Sequence, residues 1–386
     1  MKILYFHQYF KIPEEGGGLR SYYLAKGLVG KGHTVEMITA HDQEEYQVKE
    51  VEGIKVHYLP IPYSNHLSFF QRIIAFLRFI NQSIQLASRI KDVDLNYVMT
   101  TPLSTGVVAL YLKWIKRTPY FFEVGDLWPA VPIQMGIIKN PLLKWLLHSF
   151  EKLVYRKSDR LVALSPDIQK YIKQKAPKIQ SVCIPNIADT ITYLPSKETQ
   201  QPFTIGYFGT IGKANHIEFL LAAANHAKQE KLALEFIVAG EGSELERIKK
   251  KSEQQKLTNI TFYPFGNREQ IVQLMKKCEA VYVSFWDKPL LATGSPNKFF
   301  DGLAAGKFVI INFQGWIKAL IEKEGCGFSY NPNQPEEFVQ QLKPFLSDKV
   351  KLKQVQDQSR KLAERQFSKE KAVEDLDDFV VNVLRH

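Results

Sequence analysis

Short runs rich in β-branched and aromatic residues alternate along this chain with longer stretches of helical apolar spacing, and halfway along the alternation starts again. The first series runs through 2–6, 35–38, 96–99, 120–123 and 160–163, the second through 203–208, 234–238, 260–263, 280–284 and 308–312. Strands separated by helices are joined by crossovers, and crossovers pair strands in parallel. The expectation is an α/β chain with two doubly wound parallel sheets, and 386 residues are enough for two cores. The break falls between Pro185 and Pro202, where 195–201 is polar and lacks apolar periodicity. Domains of 1–190 and 191–368 follow, with a closing segment 369–386 whose apolar face, around 372–383, is free to pack back on the N-terminal domain.

Cys183, Cys278 and Cys326 stand far apart, with none of the spacing of zinc or redox sites. The apolar start of the chain is broken by His7 and Gln8, which suits a buried first strand better than a signal-peptide core. A cytoplasmic protein is expected. The net charge of +11 favours anionic partners. Nucleic acid is not expected among them, because no recognition helix or stacking motif is visible. Residues 66–91 form a basic amphipathic helix, with Arg72, Arg78, Arg89 and Lys91 as its only charges. It reads either as a helix packed on the first sheet or as a surface for acidic lipid headgroups, and different faces can do both.

Two glycine-bearing turns lie between strand and helix. Gly16-Gly17-Gly18 precedes Arg20 in the first half, and Gly209-Thr210-Ile211-Gly212-Lys213 follows the first strand of the second. Such turns open helix N-termini to anions, or simply supply positive φ. Neither matches the dinucleotide fingerprint or the phosphate loop, so epimerase or oxidoreductase readings lose ground. Further on, Ser295-Pro296-Asn297-Lys298 starts a helix that sets Lys298 and Asp301 about one turn apart. The pair suits a diphosphate and a ribose, or is a solvated surface pair. Asp92-Val93-Asp94 has the form of a metal motif but reads as a solvated approach to a strand.

The succession of Gly16 to Arg20, Asp126-Leu127-Trp128-Pro129, Gly209 to Gly212, Gly240-Glu241-Gly242 and Ser295 to Gly306 resembles the retaining glycosyltransferases of family 4 over essentially the whole chain. It is most similar to bacterial aminosugar transferases of O-antigen and capsule synthesis. The resemblance implies the GT-B fold, two Rossmann-like domains facing a central cleft, acting on a UDP-sugar without metal or other cofactor. The acceptor, a saccharide or lipid-linked saccharide, would bind the first domain through Gly17, Gly18 and Arg20. The donor would bind the second through Gly209, Thr210, Gly212, Lys213, Asn267, Arg268, Ser295, Asn297, Lys298 and Asp301. Amides of the second glycine turn would contact the diphosphate, Lys298 would neutralise it, Asp301 would hold the ribose hydroxyls, and Asn267 and Arg268 would meet the base. Asp126 stands where many relatives carry a histidine, and would orient the acceptor hydroxyl or take its proton; it also reads as a helix N-cap. Thr293 replaces a usual glutamate, and Thr210 and His216 replace usual cations, so the phosphate charge falls to Lys298, Lys213 or Arg20. Work at the inner face of a membrane is implied, and the rival is a carbohydrate-binding protein without turnover.

Overall fold

The computed structural model describes residues 1–63, 68–196 and 202–381. They divide into two units, one of residues 1–13, 17–185 and the segment from Lys369, the other of 14–16 and 186–368. The first thus ends at Pro185 rather than at 190. Residues beyond it are tied into the second core, where Ala188 and Tyr193 are buried. Of the polar stretch that marks the break in sequence, 197–201 lie outside the described residues.

The first unit carries strands β1 (Lys2–Phe6), β2 (Thr34–His41), β3 (Gln47–Val51), β4 (Ile54–Pro60), β5 (Leu95–Met99), β6 (Tyr120–Val124), β7 (Arg160–Ala163) and β8 (Ser181–Cys183). They form one sheet in the order β3-β4-β2-β1-β5-β6-β7-β8. Only β3 is antiparallel. Helices cover both faces of a parallel sheet, so its strands read as unbroken apolar runs, as in Ile3 to Phe6 and Tyr120 to Phe122, all buried. The order reverses between β1 and β5, the switch point at which α/β sheets bind ligands. The helices are α1 (Arg20–Gly30), α2 (Phe69–Arg89), α3 (Thr105–Ile115), α4 (Ala130–Gln134), α5 (Pro141–Lys157) and α6 (Pro166–Lys175). Of these, α2, α3, α5 and α6 lie side by side.

The second unit has β9 (Phe203–Phe208), β10 (Leu234–Ala239), β11 (Ile260–Tyr263), β12 (Ala280–Val283), β13 (Phe308–Ile311) and β14 (Gly327–Ser329), all parallel, in the order β11-β10-β9-β12-β13-β14. Its helices are α7 (Glu218–Gln229), α8 (Leu245–Gln254), α9 (Arg268–Lys276), α10 (Asn297–Ala304), α11 (Trp316–Glu324), α12 (Pro335–Ser347) and α13 (Lys349–Gln366). Strand side chains alternate between two cores. Phe236 and Val238 join one, with Leu220 and Phe338. Ile237 and Ala239 join the other, with Phe299, Phe300 and Trp316.

The last described helix, α14 (Lys369–Val381), belongs to the first unit and packs along α1. Gly27 makes the contact possible, since a Cβ there would stand 2.1 Å from Val373 Cγ2. His33 Nε2 lies 2.7 Å from Asp377, and Arg160 donates to the Phe379 carbonyl at 2.7 Å. In α2 one face is packed inward, with Ala75, Phe79 and Ala87 buried, and the other carries exposed Phe70, Ile74 and Leu77. Its N-terminus is fixed by Ser68 and Gln71, each bonding the other's backbone N–H; His66 lies outside the described residues.

Candidate functional site

In the second unit the strand order reverses between β9 and β12, and the connections leaving these two strands are the second glycine turn and the approach to α10. Gly209, at φ +127°, adopts a backbone conformation that side chains rarely allow. The turn packs directly on Gly240-Glu241-Gly242. A Cβ on Gly240 would lie 1.9 Å from the Gly209 carbonyl oxygen, and one on Gly242 2.4 Å from that of Ile211. Both obstacles are backbone, so no rotamer change makes room. The Gly209 N–H donates to Ala239 at 2.9 Å and the Ile211 N–H to Glu241 at 2.7 Å. This corrects the expectation that the whole turn faces an anion, because Gly209 and Ile211 have already spent their donors on the neighbouring turn. The Thr210 and Gly212 amides have no backbone partner among the described residues, and Lys213 stands exposed beside them.

Lys298, in the first turn of α10, lies against this turn, with its Cε 3.4 Å from where a Gly209 side chain would begin. Its Nζ donates to the Tyr207 hydroxyl at 2.8 Å and sits 4.0 Å from the centre of that ring. Tyr207 in turn donates to the Thr210 carbonyl at 2.5 Å. Among the described residues no carboxylate pairs with Lys298. Loss of water around an ammonium without a counter-charge lowers its pKa to about 7. Such a group is poised for an anion.

Asp301, one turn on, is not ion-paired with Lys298. Burial raises its carboxyl to about 7, with Arg268 opposing and Asp189 adding to the rise. Arg268 is the second correction. Its guanidinium is paired with Asp189 and lies 5.6 Å from the Tyr193 ring centre, so a base would meet it only as a group already engaged. Asn267 is the third, because its side chain caps α9, accepting from the Gln270 N–H at 2.9 Å while the Gln270 side chain accepts from the Asn267 N–H at 2.9 Å. Ser295 is buried; its hydroxyl accepts from the Asn186 N–H at 3.1 Å and its carbonyl from the Asn186 side chain at 2.5 Å. Asn297 is exposed at the start of α10. His216 stacks on Trp286 at 5.8 Å, and the Thr293 hydroxyl donates to the Leu290 carbonyl at 2.8 Å.

In the first unit Gly17, at φ +85°, and Gly18 are exposed on the turn after β1. Arg20 is the fourth correction. It is buried, with Nε 3.0 Å from Glu123 Oε1, Nη2 3.2 Å from Oε2, and Nη1 donating to the Pro185 carbonyl at 2.6 Å. Tyr97 also donates to Glu123. A buried carboxylate between strands needs such partners, and a guanidinium held this way is a brace, not a ligand for phosphate. Asp126 lies past the end of β6 and caps no helix; α4 begins after Pro129 without a side-chain cap. Thr101, at φ +86°, brings its hydroxyl 3.5 Å from the Asp126 carboxylate. One side of Asp126 meets solvent, and the packing around the other side removes water and raises its pKa, with the Thr101 bond opposing. The Asp94 carboxylate accepts from the Lys2 N–H at 2.7 Å, so half of the metal-like motif serves the edge of β1.

Sequence reasoning names Lys298, Ser295 and Arg268 but misses Tyr207, which bonds Lys298, Asn186, which bonds Ser295, and Asp189 and Tyr193, which engage Arg268. Tyr207 reads as one more aromatic in a buried strand. The other three fall in a segment that looks like linker.

Residues 15–186 match the model of the glycosyl transferase 4-like domain, and residues 194–362 that of glycosyl transferases group 1. A probable glycosyltransferase of Pseudomonas aeruginosa, WbjE, is 24% identical over 267 residues, an alignment covering 66% of this chain and 66% of that protein, just under two thirds of its length. Among solved structures, sucrose-phosphate synthase from Thermosynechococcus elongatus superposes with a TM-score of 0.81 at 15% identity, covering 100% of this chain and 99% of that one. Anabaena HepE, solved in complex with UDP-glucose, has a TM-score of 0.73 at 17% identity, covering 99% and 100%. These structures share the fold, and the two domain models account for both halves of the sequence: the chain belongs to the family 4 glycosyltransferases, with the GT-B fold.

Proposed function

We propose that this glycosyltransferase moves a sugar from a UDP-sugar to a saccharide acceptor. The observation that carries the reading is the dehydrated Lys298 ammonium seated on the glycine turn with Asp301 one turn away. Departure of a nucleoside diphosphate builds negative charge on its oxygens, and a fixed cation with the Thr210 and Gly212 amides beside it lowers that barrier. The Asp301 carboxylate accepts the ribose hydroxyls. Asp126 orients the acceptor hydroxyl and takes its proton. Anabaena HepE, with the same fold, is solved with UDP-glucose, which favours a uridine donor.

In its finer form the proposal is transfer of an N-acetylated aminosugar, with retention and without a metal, in bacterial surface-polysaccharide synthesis. The motifs around Asp126 and Ser295 support it. A lipid-linked acceptor suits the basic α2, whose outer face carries Phe70, Ile74 and Leu77, and would place the chain against acidic lipids at the inner membrane face. The second reading, a carbohydrate-binding protein without turnover, is favoured only by Thr293, whose hydroxyl is tied to its own turn.

Calorimetric titration with UDP, followed by transfer assays over a panel of nucleotide sugars, tests the reading. Binding with turnover is expected. Failure of UDP to bind would remove the proposal, and binding without turnover of any donor would leave the second reading. Tyr207→Phe keeps the ring under Lys298 and removes the hydroxyl that positions it. UDP affinity should fall about tenfold, the worth of one charge-assisted hydrogen bond, while uridine affinity stays unchanged. Equal losses for both ligands would mean that Tyr207 acts on the fold alone.

A further inference from the structure

Between Leu127 and Phe150 the chain contains no carboxylate, and its only cationic side chains are Lys139 and Lys144. Most of α5 lies here, and its packing is unusual. None of its residues up to Phe150 is buried; the buried ones are Glu151, Val154 and Tyr155. Leu142, Trp145, Leu146 and Leu153 follow the i, i+3, i+4 spacing of a single stripe. That stripe points away from the unit. Leu142 is 63% exposed, Trp145 64% and Leu146 49%, and Ile137 on the preceding turn is 67% exposed. A helix ordinarily turns its apolar stripe to the core, yet here this stripe faces out while the inward side buries Val154 and Tyr155 together with Glu151, which Lys175 holds at 2.5 Å.

Charge identifies what the stripe meets. Lys139, Lys152, Arg156 and Lys157 border it, and the only carboxylate of α5 is the buried Glu151. A second copy in a symmetric pair would set these cations against each other. An anionic bilayer meets apolar stripe and basic border together. No described helix is long and apolar enough to cross a membrane, so α5 would lie in the plane of the interface.

We propose that the outer stripe of α5 is a lipid-inserting surface: Leu142, Trp145, Leu146 and Leu153 enter the acyl boundary of an anionic bilayer while Lys139, Lys152 and Lys157 meet its headgroups. The inference stands apart from the transfer reading, since UDP binding tests that reading on its own. The test uses the full chain with vesicles of phosphatidylcholine alone and of phosphatidylcholine mixed with phosphatidylglycerol. Binding is expected to the mixed vesicles and to weaken with salt. The variant Leu142→Ser/Trp145→Ser/Leu146→Ser should bind them at least roughly tenfold more weakly with unchanged UDP affinity. Lys139→Glu/Lys152→Glu/Lys157→Glu should abolish the preference for anionic lipid. Brominated lipid should quench the unaltered chain, and Trp145→Phe should remove most of the quenching, a readout that survives if the triple serine variant fails to fold. Vesicle binding undiminished by the serine substitutions, quenching unaffected by Trp145→Phe, or no vesicle binding at all overturns the proposal. So does a concentration-dependent dimer that the serine variant dissolves, which would assign the stripe to a second copy.

Discussion

A Lys298→Met chain is expected to bind UDP-sugar roughly a hundredfold more weakly than the unaltered chain while folding as well or better. Removing one charge-assisted contact to a diphosphate in a poorly hydrated site costs about 2–4 kcal/mol of binding. Removing a dehydrated ammonium that has no carboxylate partner among the described residues relieves the fold of the dehydration that lowers its pKa to about 7, which offsets the lost bond to Tyr207. The pH dependence follows from signs. An anion favours charged Lys298 and raises its pKa on binding, so affinity declines as pH rises through about 7. Ribose hydroxyls donate to charged Asp301 and lower its pKa, so affinity declines as pH falls through about 7. Affinity for a nucleotide sugar, whose diphosphate does not titrate in this range, should therefore peak near neutrality. Lys298→Arg should flatten the alkaline limb and Asp301→Asn the acid limb, both read by calorimetry. A profile without limbs, or full affinity in Lys298→Met, would show that the diphosphate binds elsewhere.

The second large effect is on turnover. Asp126→Asn should reduce the transfer rate by a factor on the order of 10² to 10⁴, the range for loss of a positioned general base, with donor affinity unchanged. Asparagine has the same shape, and its carbonyl still accepts from the Thr101 hydroxyl, so the turn should keep its geometry. Because loss of water on its packed side raises the pKa of the Asp126 carboxyl, with the Thr101 bond opposing, kcat/KM should fall as pH drops through that raised pKa. The limb should vanish in the variant. Equal rates in the two chains would take Asp126 out of the reaction.

How far the site is legible in sequence depends on the kind of interaction. Lys298 and Asp301 are visible because helical spacing is local and puts them one turn apart whatever else the chain does. Arg20 misleads for the opposite reason. Beside three glycines it looks available to an anion, and only the pairing of β5 with β6 shows that Glu123 and Tyr97 stand together where a guanidinium must answer them. Asn267 and Gln270 form a local capping box, which is readable from sequence once a helix start is placed at Arg268. The strands β3 and β4 leave a fainter trace. They join through Glu52 and Gly53, at φ +48° and +82°, the two positive values that a tight hairpin turn needs, but β3 buries no residue and so shows no apolar pattern.

The α/β class, the two sheets, the glycine turns and the placing of Lys298 on a helix start come from the amino-acid order itself, because backbone preference and apolar period act over a few residues. Which amides remain for a ligand, which cations are already paired, where the first unit ends and which face of α5 meets solvent were decided by tertiary packing. Each depends on a partner distant in the chain: Ala239 for Gly209, Tyr207 for Lys298, Glu123 for Arg20, Ser295 for Asn186. Charge and hydrogen-bonding capacity are spent on whichever neighbours the fold supplies, and a sequence shows the capacity but not the neighbour.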